Sequence, residues 1–394
     1  MGNSTSATIA AQLRPGMRVA IADGAGAPLS LVDDLTDAAR SVGGISLVLG
    51  WCLALPVRLD RDAFTDIRTV MGGFALQPAI DDGVVRRVPA RLGGLPSLLT
   101  GPLRPDLLIA GLTRDNAGWH WGTEVSWMAS VVDAGVPVLA EHNEALPRTS
   151  GDPVVPQDQV TVVSHVERSP IAVPSATFDD TSRQIAAHIA DLVPEGACVQ
   201  YGPGPLADAV FDALTVPIRI RSGMINQSVL SLERRGLLLD TPVSTYVVGS
   251  PEVYVWADGR AVTTRLEKTH DLSVARGRPF VTINTALEVD TSGAVNIEGI
   301  AGRAVAGPGG HPDFALAGHR SVGGLSIIAT PSTRRGRRTL VDRLTFPAST
   351  PRSDVDIVVT EHGRADLRGL DDVERAAELA RIWSSDCAAA SEPC

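Results

Sequence analysis

The sequence predicts an α/β fold of two tandem domains with mostly parallel sheets, and three observations carry that expectation. The chain has 394 residues, too many for one ordinary core and suited to two domains of ~200 residues each. Strand-like and helix-like patterns alternate along it. One pattern of strand, glycine turn and helix occurs twice.

The repeat can be read residue by residue. Arg18-Val19-Ala20-Ile21-Ala22 is an apolar run, Asp23-Gly24-Ala25-Gly26-Ala27-Pro28 a glycine turn, and Leu31, Val32 and Leu35 open an amphipathic stretch. The second copy runs Ala197-Cys198-Val199-Gln200-Tyr201, then Gly202-Pro203-Gly204-Pro205, then Leu206, Ala209, Val210 and Leu214. Proline suits a first helical turn, where its missing N–H has no partner to lose. Two copies of one α/β unit fused in tandem explain the repeat. Further strand-like runs lie at 45–49, 107–109, 136–139, 160–163, 243–248, 280–283, 326–329 and 355–359, with helical patterns at 124–134, 180–193 and 371–381. Such alternation favours parallel sheets covered on both faces. The stretch Ser169-Pro170-Ile171-Ala172-Val173-Pro174-Ser175 marks a boundary, giving domains 1–170 and 171–394.

Composition narrows the function classes. Hydrophobic residues make up 44% and charged residues 20%, the proportions of a packed protein rather than a disordered one. No apolar run reaches the ~18–20 residues that cross a bilayer, and the first residues lack a secretory signal's apolar core, so a cytoplasmic protein without membrane contact is expected. A net charge of −10 opposes nucleic-acid binding, which needs a basic face. An anionic ligand must then be met locally, by backbone N–H groups and a few arginines. Cys52, Cys198, Cys387 and Cys394 lie far apart without a C-x-x-C spacing, and the histidines show no ligand spacing, so neither a disulfide framework nor a metal site is expected. Neither glycine turn has the G-x-G-x-x-G spacing followed by an acid that marks a dinucleotide site.

Several ordered blocks point to one family. Gln200-Tyr201-Gly202-Pro203-Gly204-Pro205-Leu206-Ala207-Asp208-Ala209-Val210, Ile283-Asn284-Thr285-Ala286-Leu287-Glu288-Val289-Asp290, Gly307-Pro308-Gly309-Gly310-His311-Pro312-Asp313-Phe314 and Val359-Thr360-Glu361-His362-Gly363 occupy the second half. Asn143-Glu144-Ala145-Leu146-Pro147-Arg148-Thr149 lies in the first. These blocks resemble the acetyl-CoA hydrolase/transferase family of CoA-transferases, including 4-hydroxybutyrate/acetate CoA-transferases. The resemblance implies two CoA-transferase-like domains and an acyl-CoA thioester as substrate, with coenzyme A part of the substrate rather than a cofactor. In that family a glutamate attacks the thioester and a glycine-rich loop holds the carbonyl oxygen. Gly307, Gly309 and Gly310 match the loop, with Asn284 beside it as a substrate-binding residue, and Gly202, Gly204 and the residue-223 segment are candidates for CoA contact.

Where the family places its glutamate, Arg221-Ser222-Gly223-Met224 has Gly223, and no rotamer restores a carboxylate there. Glu233 reads as a solvated helix residue and Glu288 as a structural acid. A second departure is Asp115-Asn116-Ala117-Gly118-Trp119-His120-Trp121-Gly122-Thr123-Glu124, which brings a histidine, two tryptophans and a glutamate into one loop. His120 and Glu124 become candidates for a general base on water, and His311 for acid–base work beside the glycine loop. Glu124 also reads as a first-turn acid of a helix, and the tryptophans as filler for lost side-chain volume. The expectation is an acyl-CoA hydrolase, including the option of C–C cleavage in a CoA-linked substrate. A transferase with a relocated carboxylate, a non-catalytic CoA-binding protein and a homodimer stay open.

Overall fold

Both glycine turns form where strand meets helix. The computed structural model describes residues 2–54, 60–175, 177–275 and 277–384; Cys387 and Cys394 lie outside them. The chain divides into two units, Met1–Val173 with Val243–Thr269, and Pro174–Pro242 with His270–Cys394. A single break at residue 170 was the expectation. The structure instead assigns Val243–Thr269 to the first unit, and local bonding gives the reason. Gly151 N–H donates to Thr263 O at 2.7 Å and Thr263 N–H to Thr149 O at 2.9 Å. The buried Asp152 carboxylate receives Lys268 Nζ at 2.8 Å, Arg265 Nε at 3.0 Å and Thr264 Oγ1 at 2.6 Å. Burial alone would raise the Asp152 pKa, but these donors hold it below the ordinary carboxylate value.

The first unit contains β1 (Arg18–Ile21), β2 (Ser46–Leu49), β3 (Asp66–Thr69), β4 (Arg86–Arg87), β5 (Leu107–Asp115), β6 (Gly118–Trp121), β7 (Val138–Asn143) and β8 (Val160–Val166). Their order is β4-β3-β2-β1-β5-β7-β8, with β6 paired to β5. Every pair on the main path is parallel, and only β5–β6 is antiparallel. From β1 the chain winds outward through β2 and β3, then returns to place β5 on the other side of β1. The strand order thus reverses between β1 and β5, and the carboxyl ends of the strands at such a reversal are where open α/β sheets hold ligands.

The second unit repeats the plan. β9 (Cys198–Tyr201) and β10 (Arg219–Ile225) pair in parallel. After β11 (Val243–Val247), which belongs to the first unit, the chain returns as β12 (Phe280–Thr285) on the other side of β9. Leu325–Ala329, Ile357–Thr360 and Gly363–Asp366 extend the sheet beyond β12. Its reversal falls between β9 and β12.

The helices after the two turns are Val32–Val42, which buries Val32, Leu35, Thr36, Ala38 and Ala39, and Pro205–Ala213, which buries Leu206, Ala207, Ala209, Val210 and Phe211. Among the described residues no helix is long and apolar enough to cross a membrane.

Candidate functional site

In the first unit, the turn after β1 wraps a carboxylate from a residue far along the chain. Glu124 is 4% exposed. Its Oε2 accepts the Ala25 N–H at 2.9 Å and the Thr123 hydroxyl at 2.6 Å, and its Oε1 accepts the Gly26 N–H at 3.2 Å. Glycine is required for this approach: a Cβ on Gly24, whose φ is +87°, would sit 2.1 Å from Glu124 Oε2, and one on Gly26 would sit 2.8 Å from Oε1. From below, the buried Glu141 carboxylate steadies the turn by taking the Arg168 Nη2 donor at 2.6 Å and the Ser30 hydroxyl, while Arg168 also donates to Ala27 O at 3.0 Å. Burial pushes the Glu124 pKa up to about 8, against the hydrogen bonds that pull it down. The expected helix at 124–134 begins only at Met128. Val125 N–H instead donates to Thr245 O and Ser126 takes φ +50°, so Glu124 is no first-turn acid.

A second carboxyl group sits beside it. Asp23, at the exit of β1, is 1% exposed. Its Oδ2 receives Trp127 Nε1–H at 2.9 Å, Tyr246 O–H at 3.0 Å and Trp51 N–H at 3.2 Å, while Oδ1 is buried without a partner. Ser126 Oγ lies 2.6 Å from the Tyr246 hydroxyl. Burial raises Asp23 to about 6, and its charge adds to the upward shift of Glu124. Three donors on one oxygen favour an ionised Asp23, and repulsion between like charges then keeps the proton on Glu124 near neutrality. Asp23 escaped the sequence reading, although an acid directly before a G-x-G turn at a strand end was a usable signal.

His120 is placed differently. Alternation along β6 buries Trp119 and Trp121, each 2% exposed, in the core of the first unit and turns His120 to the other face. There its Nε2 meets Asp115 Oδ1 at 2.8 Å across the hairpin turn. No hydrogen bond among the described residues joins His120 to Glu124. The tryptophans are core residues of this sheet.

In the second unit, Gly223 lies on β10. A Cβ there would meet Phe314 Cε2 at 3.4 Å and the His270 ring at 3.9 Å, ordinary contacts, so the wall of this space is Phe314 and His270. The same rings exclude a side chain at Gly310, whose Cβ would be 2.5 Å from His270 Nε2. The fold therefore brings Gly223 and the Gly307–Gly310 loop to one place. Gly307 is partly exposed at the base of the loop, Gly309 has φ +55° with open space around it, and among the described residues no acceptor takes the Gly309 or Gly310 N–H. Burial drives His270 down to about 3, so this imidazole is neutral. Sequence spacing had set it aside, since its neighbours here come from distant segments.

His311 opens the helix His311–Arg320. Its Nδ1 pairs with Thr350 Oγ1 at 2.7 Å, its Nε2 is buried without a partner, and burial lowers its pKa to about 4. At the β9–β12 reversal Asn284 and Gln200 exchange amide hydrogen bonds at 3.2 Å. Gly202 N–H donates to Ile283 O at 2.9 Å, and Gly204, with φ +134°, precedes the helix Pro205–Ala213. Glu288 is structural, receiving Asn296 Nδ2 at 2.9 Å and Thr345 Oγ1 at 2.7 Å. Glu233 is exposed. His142 and His165, apart in sequence, meet on β7 and β8 with their Nδ1 atoms 3.2 Å apart. Among the described residues no three His, Cys, Asp or Glu side chains gather to hold a metal ion.

Residues 249–389 match the Acetyl-CoA hydrolase/transferase C-terminal domain. The chain is 25% identical over 387 residues to the 4-hydroxybutyrate coenzyme A transferase of Clostridium kluyveri, covering 93% of this chain and 90% of that protein. It is 28% identical over 288 residues to the acetyl-CoA hydrolase of Eremothecium gossypii, covering 63% of this chain and 53% of that one. The crystal structure of a 4-hydroxybutyrate CoA-transferase from Porphyromonas gingivalis shares the fold at a TM-score of 0.76 and 23% identity, with 97% of this chain and 94% of that chain covered. With its parallel sheets and paired glycine turns, the chain is similar along most of its length to CoA-transferases and, over a shorter stretch, to acetyl-CoA hydrolases, and its residues 249–389 carry the C-terminal domain of the acetyl-CoA hydrolase/transferase family.

Proposed function

We propose that the protein hydrolyses an acyl-CoA thioester with Glu124 as the general base. The observation that carries this reading is the Glu124 carboxyl group, wrapped by the Gly24–Gly26 turn at a sheet reversal and ionising near neutrality, in a chain with glycine at residue 223. Catalytic bases work best with a pKa close to the operating pH. In the proposed step Glu124 takes a proton from water as the water oxygen bonds to the thioester carbon. Collapse of the adduct breaks the C–S bond, and the proton on Glu124 passes to the departing CoA thiolate. Charge that builds on the carbonyl oxygen in this step calls for backbone N–H donors aimed at it.

The Asp23–Glu124 pair supports one narrower reading. Carbon–carbon hydrolysis of a keto-acyl-CoA needs a base for water and an acid for the released carbanion, and two carboxyl groups with separated pKa values offer both. Free thiol with no shortening of the acyl chain would identify thioester hydrolysis, and a shortened acyl-CoA would identify carbon–carbon cleavage. Binding of CoA with neither product across a panel of thioesters would leave a non-catalytic binding protein.

Restoring the family's nucleophile separates hydrolase from transferase. Gly223→Glu is sterically admitted at its first atom, because the nearest neighbour to the added Cβ is at 3.4 Å. We expect this variant to form an acyl-glutamyl adduct that hydroxylamine releases, and the wild type to form none, as read by peptide mass spectrometry. An adduct on Glu124 in the wild type would make the chain a transferase with a relocated carboxylate.

A further inference from the structure

The second unit carries an arginine hairpin with no function in the steps above. Thr333–Arg334 and Arg337–Arg338 pair antiparallel, with Arg334 opposite Arg337, around the two-residue turn of Arg335 and Gly336. Arg335 has φ +51° and Gly336 φ +74°. Turns with both central residues at positive φ favour Asn-Gly or Asp-Gly, and a long side chain at the first position is strained. Like charges facing each other across a ladder are unfavourable as well. Two local rules are thus broken at one spot, in a chain of net charge −10. All four arginines are exposed, and among the described residues none forms an ion pair with a carboxylate. A basic cluster without carboxylate partners fits a polyanion supplied from outside.

The hairpin's position says which polyanion. It follows Leu325–Ala329, the strand next to β12, at the carboxyl edge of the sheet. Its base is fastened over the end of β12: Arg334 Nη2 donates to Ala286 O at 3.4 Å, and Thr330 Oγ1 to the same oxygen at 3.2 Å. Thr339 Oγ1, which closes the hairpin, donates to Pro331 O at 2.6 Å and receives Trp383 Nε1–H at 3.0 Å. Asn284 and the Gly202 turn stand at the β9–β12 reversal, one strand away. A ligand seated at that reversal therefore passes the arginines with whatever part of it extends along the strand ends.

We infer that Arg334, Arg335, Arg337 and Arg338 clamp the phosphate-bearing end of coenzyme A, its 3′-phosphate and diphosphate. The inference rests on the acyl-CoA reading and adds the subsite that meets the ligand's charge.

Calorimetric titration of the full chain with CoA, with dephospho-CoA (which lacks the 3′-phosphate) and with pantetheine tests it. The wild type is expected to bind CoA about tenfold more tightly than dephospho-CoA, a preference that shrinks with added salt. Arg335→Asn places a favoured residue in the turn, so its melting temperature should hold or rise while CoA affinity falls. Arg337→Gln combined with Arg338→Gln should bring CoA and dephospho-CoA within about twofold of each other and leave pantetheine binding unchanged. Variants that keep the wild-type preference would overturn the clamp while the acyl-CoA reading stands. A wild type that binds pantetheine but does not distinguish CoA from dephospho-CoA would do the same. If the wild type binds none of the three, the acyl-CoA reading falls and takes the clamp with it.

Discussion

Glu124→Gln is expected to abolish acyl-CoA hydrolysis and at the same time to raise the melting temperature above pH 8. Glutamine keeps the length of the side chain and an oxygen for the Ala25 N–H, but cannot take a proton from water. A positioned general base contributes ~10²–10⁴-fold, so kcat/KM should fall by about that factor in an assay of thiol release. The wild-type profile should rise about tenfold per pH unit below about 8 and level off above it, because only the ionised carboxylate acts. The sign for stability is the reverse of the usual carboxylate case. The folded state holds the Glu124 proton up to about pH 8, whereas the unfolded chain releases it near the ordinary glutamate value of 4.5. Between those values the folded state binds more protons, so wild-type stability falls as pH rises through that window. The variant has no proton to lose and lacks this decline. Melting curves from pH 5 to pH 9 should therefore diverge with the glutamine variant ahead at the alkaline end. Equal slopes for the two proteins would show that Glu124 is ionised at ordinary pH and would remove the reason for naming it as the base.

The parts of this architecture set by local chemistry were legible in the residues. Both strand, glycine turn and helix copies formed where the apolar runs and Gly24, Gly26, Gly202 and Gly204 placed them, since a turn against a helix start depends on a few neighbours. The helix Asp372–Arg381 likewise follows its capping box at Asp371 and Glu374. Long-range pairing was the obscure part. The 124–134 segment reads as helical through Met128–Asp133, but Glu124 bridges to Tyr246 and Val125 to Thr245, contacts that no window around residue 124 contains. The same pairing draws Val243–Thr269 out of the second half. Glu124 could be named as a candidate from its unusual place in a family block, yet its ligands, the Ala25 and Gly26 amides, lie 99 and 98 positions away. In Trp119-His120-Trp121, by contrast, the strand alternation that buries the tryptophans and turns His120 away was available from the sequence and outweighs a reading of all three as site residues.

Gly24→Ala should inactivate the protein nearly as fully as loss of Glu124 itself, although no titratable group is removed. Two penalties coincide at this residue. At φ +87° a Cβ is strained, which costs ~1–2 kcal/mol in left-handed backbone. The Cβ would also stand 2.1 Å from Glu124 Oε2 and 2.4 Å from Cδ, so the carboxylate must leave the turn and give up the Ala25 N–H at 2.9 Å and the Gly26 N–H at 3.2 Å. Gly16→Ala separates the penalties. Its φ is +91°, in the same unit, and nothing lies within 4 Å of an added Cβ, so it carries the backbone strain without the collision. We expect both variants to melt a few degrees lower, with Gly24→Ala lower still, because its displaced carboxylate leaves two buried N–H groups unpaired. Only Gly24→Ala should lose thiol release, and only it should lose the alkaline decline in stability, since a Glu124 moved into water ionises as in the unfolded chain. Normal hydrolysis by Gly24→Ala would mean that the carboxylate held by this turn takes no part in the reaction, whatever Glu124→Gln had done.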